Sequence, residues 1–520
     1  MFRSTILLAA VLAASVATPL LAQYDGMVRA VNAKRYGLDR AWLSQMEINS
    51  SLSHVVDMSL HVSSTDVFTV FEVPHPDGDI IISERDLDTF RRPLGRDGAK
   101  KLADEKLEQI KALDLVDAKT RNREVVVPEI TLYVAGSRGS IQAINGETGQ
   151  TRWSVSIGKP EYPMLGPAAN DEYVAAFSGS TLFVLNAKDG TIAWSRMAAG
   201  VPGAAPALSE NLVFGPMIDG PGESYRLLEH RMSPGIYRSF GHIFVRPLVT
   251  PDVIAWPTDR GHLYVGRSNK KGILYRLEAR DSIVSPATRL LPDLLLATSI
   301  DGYVYCVHSL SGRIVWRFST GEPVSQAAIA VKDAVFAVTD EGNLFRISGD
   351  SGIEQWWTSG VKQILAVSEQ RVYCRDYAGR LLIIEAETGA QIGSIPTGGI
   401  DLVYANRSTD RIYLGTKSGI VQCLHETEQR WPAVHAETFE EAQLKPEIKQ
   451  EGLQPAQPQP PNNQNPFDNP FNNPPAGNNN ANPFDNPPPA NNNNNANPLD
   501  NPAPANGADK DPFGLGNPFD

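Results

Sequence analysis

Between about residue 130 and residue 431 the apolar positions fall into short runs, four to six residues long, each ended by a glycine-containing turn. Runs such as 131–135 (TLYVA), 294–298 (LLLAT), 334–338 (AVFAV) and 411–415 (RIYLG) are rich in β-branched and aromatic residues, the composition of buried strands. Each is followed, across a tight turn, by a run in which apolar residues recur at every second position, as in 182–185 (LFVL) and 344–347 (LFRI). A Thr-Gly, Asp-Gly or Ser-Gly pair then supplies the positive φ of a second tight turn. The strand after it carries a tryptophan. The pattern therefore predicts small antiparallel sheets, three strands of each being visible, with the indole on the third.

The sheets recur. Turn residues Gly139, Ser180, Gly220, Gly261, Gly302, Gly342, Gly379 and Gly419 are spaced 37 to 41 residues apart, which gives eight units. A second glycine stands ten residues after the anchor in five units (Gly149, Gly190, Gly312, Gly352, Gly389), and a tryptophan fourteen after it in four (Trp153, Trp194, Trp316, Trp356). The fourth unit has Gly272 and Tyr275 at nearly the same places. The third, residues 210–251, has lost both glycine and indole, so its anchor Gly220 rests on spacing. One sheet of this size cannot bury both of its faces, and radial stacking of such units closes into a β-propeller. The expected fold is all-β: about eight four-stranded blades, seven being possible, with the tryptophans packed between blades.

The stretch from Ile141 to Trp153, IQAINGETGQTRW, resembles the quinoprotein-type (PQQ-like) β-propeller repeat, and the resemblance covers roughly 300 residues. That family divides into dehydrogenases that hold pyrroloquinoline quinone and a non-catalytic branch, which includes the propeller of the bacterial outer-membrane protein assembly complex. The chain resembles the second branch in its short blades. It has no adjacent cysteine pair of the kind that the dehydrogenases carry over the quinone. The resemblance implies a binding scaffold with no cofactor, and leaves a quinone-dependent dehydrogenase as the alternative.

The ends extend the picture. Residues 40–48 read as an isolated tryptophan strand and 61–73 as further strand, while the last unit stops at Trp431 without a successor. The N-terminal strand is expected to complete the last blade, since a free strand edge invites aggregation. Residues 74–128 do not fit the repeat, and within them 98–120 place Leu102, Leu107, Ile110, Leu113 and Val116 at helical spacing, an amphipathic helix expected to pack on the ring. Arg3 ahead of the apolar run 6–21, then Ala22-Gln23, reads as a secretory signal over residues 1–22. Export to the periplasm or cell envelope follows, and with no cysteine before Cys306 a lipoprotein is not expected. The organisation read from sequence is thus 1–22 signal, 23–128 closing strands and insertion, 129–433 propeller, 434–453 charged linker and 454–520 tail.

A net charge of −12 excludes a nucleic-acid partner as the expectation. Nine scattered histidines show no metal-ligand spacing, and no nucleophile elbow or phosphate loop occurs, so no catalytic, cofactor or metal residue and no small-molecule substrate is expected. Glu229, His230, Asp259 and Arg260 could line a pore, though solvated loop charges account for them. Cys306 and Cys423 lie four residues past their anchors and Cys374 replaces a strand alanine or valine, the register of buried hydrophobes. The tail is dominated by Asn and Pro and carries Asn-Pro-Phe at Phe467, Phe471, Phe484 and Phe519, three of the four copies followed by Asp. Such a segment cannot bury enough surface to order itself. Its repeats suit a multivalent tail for protein partners in the envelope, with a structural surface protein docked through the tail as a further alternative.

Overall fold

Eight antiparallel sheets follow one another through residues 27–435, apart from 77 and 403, the residues described by a computed structural model. The signal segment 1–22 and the Asn-Pro-Phe tail lie outside the described residues. Blades 2 to 7 each have four strands and span residues 164–197, 207–237, 248–278, 288–319, 329–358 and 363–395. Blade 8 combines Ile412–Gly415 and Ile420–Glu426 with Leu38–Gln45 from the other end of the chain. Trp42 stands opposite Cys423 and Leu43 opposite Gln422 in that pairing, so the ring is closed by its N-terminal strand. The fold is an eight-bladed β-propeller.

Two blades depart from four strands. Blade 8 has three, extended only by a single bridge between Leu402 and Gly415. Blade 1 has five, because its first two strands, Val55–Val73 and Arg123–Gly136, run on beyond the blade. Their outer halves, Val67 to Val73 against Arg123 to Pro128, carry the strand Ile80–Ser83 and the helix Gly95–Ala112 as a lobe. The helix starts three residues before the expected 98 and ends eight before 120. Asp114 adopts φ 54°, a left-handed turn that no helix continues through. Ala99, Ala103, Leu107 and Ile110 form its buried stripe against Phe71, Val73 and Ile82, whereas Leu113 is left exposed. Trp431 donates its Nε1–H to Glu72 Oε1 at 2.6 Å and ties the last described residues to this lobe.

The tryptophans sit on the fourth strand of their blades, not the third. A first strand of only two or three residues precedes the visible ones in several blades, as at Ala207–Leu208, Leu248–Val249, Thr288–Leu290 and Ile329–Val331. These first strands approach one another from blade to blade, so they line the axis and the tryptophan strands form the rim. The core is a set of slabs between neighbouring blades. Leu290, Leu296, Val304, Cys306 and Trp316 of blade 5, for example, pack on Ala330, Val335, Ala337, Phe345 and Ile347 of blade 6. All three cysteines are free and fully buried within such slabs. Burial pushes the Cys306 thiol up to about 12 and raises those of Cys374 and Cys423 as well.

Candidate functional site at an unsealed blade junction

Each blade junction must exclude water from a flat apolar slab, and one device repeats around the ring. The aromatic residue on the outer strand of one blade lies over the second turn glycine of the next and donates to a backbone carbonyl in that turn. Trp42 donates to Gly146 at 2.8 Å, Trp153 to Ala187 at 2.7 Å, Trp316 to Gly349 at 2.6 Å and Trp356 to Ala386 at 3.0 Å. Tyr275 does the same with its hydroxyl, reaching the carbonyl of His308 at 3.2 Å. The glycine is required by contact as well as by its positive φ: a Cβ at Gly352 would stand 2.6 Å from the Trp316 ring, and one at Gly190 2.6 Å from Trp153. Trp194 donates to Leu227 at 3.1 Å and, where blade 3 lacks the glycine, stacks on the imidazole of His230 at 5.3 Å.

Strand register identifies the sealing position in every blade. Cys306 pairs with Trp316, Ala143 with Trp153 and Val265 with Tyr275; the same pairing sets Ser224 opposite Gly235 in blade 3 and Ile383 opposite Gly393 in blade 7. Neither blade has an aromatic at this position, and in blade 3 the outer strand's Tyr237, two residues further on, makes the bond across the junction deeper in the slab, to the Lys270 carbonyl. In blade 7 the gap is filled: the ring of Tyr36, from just ahead of the closing strand, lies 2.3 Å from where a Gly393 Cβ would be, and its carbonyl accepts from Arg371 Nη1 at 2.9 Å. In blade 3 it is not filled. The nearest group to a Gly235 Cβ on the blade 4 side is the Lys271 stem at 3.8 Å, and Gly272, at the turn, has nothing within 4 Å.

The result is an open cleft of about 570 Å³ between blades 3 and 4. Leu212, Leu228 and Met232 supply its apolar surface, Leu228 being 79 % exposed, and Arg226, Lys270 and Lys271 supply three cations. Glu229 neutralises one of them through its ion pair with Arg226. The backbone here is already satisfied: Tyr237 donates to the Lys270 carbonyl at 3.3 Å and Ser209 to that of Ser268 at 3.0 Å. Those deeper bonds join the blades without an indole at Gly235.

Other polar clusters are spent on themselves. Between blades 1 and 2, Asp171 accepts from His61 at 2.9 Å, from the Ser63 hydroxyl at 2.7 Å and from the backbone N–H of Ser64 at 3.1 Å. Burial alone would raise its carboxyl, but these hydrogen bonds outweigh burial and hold it well below the usual carboxylate range. Nearer the axis Arg246, just ahead of blade 4, pairs with Asp57 of blade 1 and so spans the ring. Of the four loop charges noted in the sequence, Glu229 lines the cleft, His230 stacks on Trp194, and Asp259 binds His242 at 2.8 Å while Arg260 lies over Phe240. Among the described residues no group of three or more His, Cys, Asp or Glu could hold a metal, and no helix is long and apolar enough to cross a membrane. Phe467, Phe471, Phe484 and Phe519 lie outside the described residues. The cleft itself has a sequence signal, the loss of glycine and tryptophan from the third unit.

A closed eight-bladed ring of tryptophan-docked repeats defines the chain as a propeller of the PQQ-like repeat class. The family model described as "Outer membrane protein assembly factor BamB" matches residues 100–220 and 300–447, more than half of the chain, and the chain belongs to that family. The stretch between the two matches, 221–299, holds most of the cleft. Proteins named outer membrane protein assembly factor BamB from Shewanella oneidensis and Burkholderia pseudomallei are 23% and 25% identical to the chain, over 283 and 295 residues. These alignments cover 48% and 52% of this chain and 68% and 74% of the relatives. The crystal structure of BamB from Moraxella catarrhalis superposes with a TM-score of 0.49 at 17% identity, over 57% of this chain and 91% of that one.

Proposed function

We propose that the protein is an exported, non-catalytic scaffold that binds protein partners in the cell envelope, in the assembly of outer-membrane or surface proteins. Membership of a family described by outer-membrane protein assembly supports the setting. The observation that carries the binding role is the cleft between blades 3 and 4, which is apolar and rimmed by cations, whereas the cleft of about 660 Å³ between blades 1 and 2 is lined mainly by polar and charged groups already bonded to one another. Rigid sheets hold the apolar cleft in place, so little ordering entropy is lost when a partner enters it.

The test is an affinity capture from envelope extract with the full chain and with a chain lacking residues 454–520. Partners retained by the bare propeller support the scaffold. Partners lost with the tail support the second reading, a surface protein docked through its repeated Asn-Pro-Phe segments at Phe467, Phe471, Phe484 and Phe519, each weak alone and strengthened by repetition. The quinone alternative is tested separately. A bound-cofactor absorbance and alcohol or sugar oxidation after incubation with pyrroloquinoline quinone and Ca²⁺ would overturn the non-catalytic reading.

A further inference from the structure

We infer that the cleft between blades 3 and 4 is a socket for one aromatic side chain of a partner's acidic segment. The inference rests on the reading of the protein as a partner-binding scaffold and names the chemistry that its cleft recognises. Three observations carry it.

The first is shape. Gly235 occupies the register position that holds Trp153, Trp316 or Trp356 elsewhere, so the space beside it is the space an aromatic ring fills at the equivalent junctions. The second is precedent within the molecule. At Gly393, where the position likewise holds no aromatic, a ring is supplied from a distant part of the chain, Tyr36. An aromatic arriving in trans at Gly235 would repeat that arrangement. The third is charge. The chain carries −12 overall, yet Arg226, Lys270 and Lys271 rim the cleft against a single carboxylate, Glu229. A basic mouth on an acidic protein selects an acidic segment and repels most other surfaces.

The hydrogen bonding narrows the ligand further. Because Tyr237 and Ser209 already serve the carbonyls of Lys270 and Ser268, an entering ring needs no donor. Affinity then comes from burying the ring against Leu212, Leu228 and Met232, with orientation from the lysines. Phe serves as well as Trp or Tyr, and the flanking carboxylates set specificity.

The experiment uses the full chain and a fluorescein-labelled peptide, Gly-Ser-Asp-Glu-Trp-Asp-Gly-Ser, followed by anisotropy. Saturable binding is expected, at least tenfold weaker when the peptide's Trp is replaced by Ala and when its acidic residues are replaced by Lys. Replacement by Phe should change it by less than threefold. Two protein variants locate the site. Lys270→Glu with Lys271→Glu alters only exposed charges and should weaken binding at least tenfold. Gly235→Trp, combined with Ser224→Ala to clear the hydroxyl 2.6 Å from the new Cβ, should fill the socket and abolish binding, while Ser224→Ala alone should not. No saturable binding at millimolar peptide, or binding indifferent to the lysine pair, overturns the inference, and so does a folded Gly235→Trp variant that still binds. If envelope partners are captured by the bare propeller while the peptide fails, the scaffold reading stands and the socket falls.

Discussion

Blades 3 and 7 share one defect and resolve it in opposite ways. Each has glycine where its neighbours carry an aromatic, at Gly235 and Gly393. Blade 7 borrows Tyr36 from the N-terminal segment, so the junction that joins the two ends of the chain is sealed by the end that arrives there. Blade 3 joins its neighbour deeper down, through its own Tyr237 and Ser209, and leaves only a lysine stem beside Gly235. A lost tryptophan is therefore not in itself a binding site. It leaves an open cleft where no other ring of the molecule moves in.

The comparison can be broken most severely at an intact seal. Trp316→Ala should destabilise the fold by about 3–5 kcal/mol, the usual cost of removing a buried indole, as read by denaturant unfolding followed by circular dichroism. A loss below about 1 kcal/mol would mean that the indoles decorate the junctions and do not hold them. Tyr36→Ala should cost about 2–3 kcal/mol, since the ring is half-buried, and should open a second cleft beside Gly393. If stability is unchanged, the borrowed seal is not a seal. Cys306→Ser should cost about 1–2 kcal/mol, because a hydroxyl in the slab between blades 5 and 6 has no partner. The native thiols should also resist a water-soluble thiol reagent until the ring unfolds, given their burial and raised pKa. The smallest effect concerns acid. A carboxyl held below its ordinary value contributes stability above pH 4 or so, and that contribution is lost as pH falls below it. Asp171→Asn should be somewhat less stable than wild type at pH 7, and the gap should narrow between about pH 4 and pH 2. A constant gap would show that Asp171 titrates normally.

Much of this ring is legible in the sequence. The 40-residue spacing, the turn glycines and the tryptophans are local signals, and they located the blades, the rim strands and the closing strand at residues 40–48. The axial strands escaped because a two-residue strand such as Ala207–Leu208 has no periodicity to detect. The outer half of blade 1 escaped for a different reason. Residues 67–73 and 123–128 pair across an insertion of about fifty residues, and nothing local announces that partnership. In the helix at 95–112 the expected stripe holds at Leu107 and Ile110, with Leu102 and Val116 partly buried beside them; the pattern misses the alanines at 99 and 103 that complete it and includes Leu113, which is exposed. The cleft left a trace, the degenerate third unit, that weakened the blade count more than it pointed to a site. Tyr36 left none, since which junction a lone tyrosine fills is decided by ring closure.

That closure sets a timetable for folding. The strand Leu38–Gln45 pairs with Ile420–Glu426 roughly 380 residues away, so the bond that closes the ring is among the least local in the chain and forms late. Until the two strands meet, the hydrogen-bonding edge of Leu38–Gln45 has no native neighbour, and the last blade has no rim. A chain truncated anywhere before residue 420 can never complete the ring. The final pairing thus removes the last open strand edge of the ring only once residues up to 426 are present.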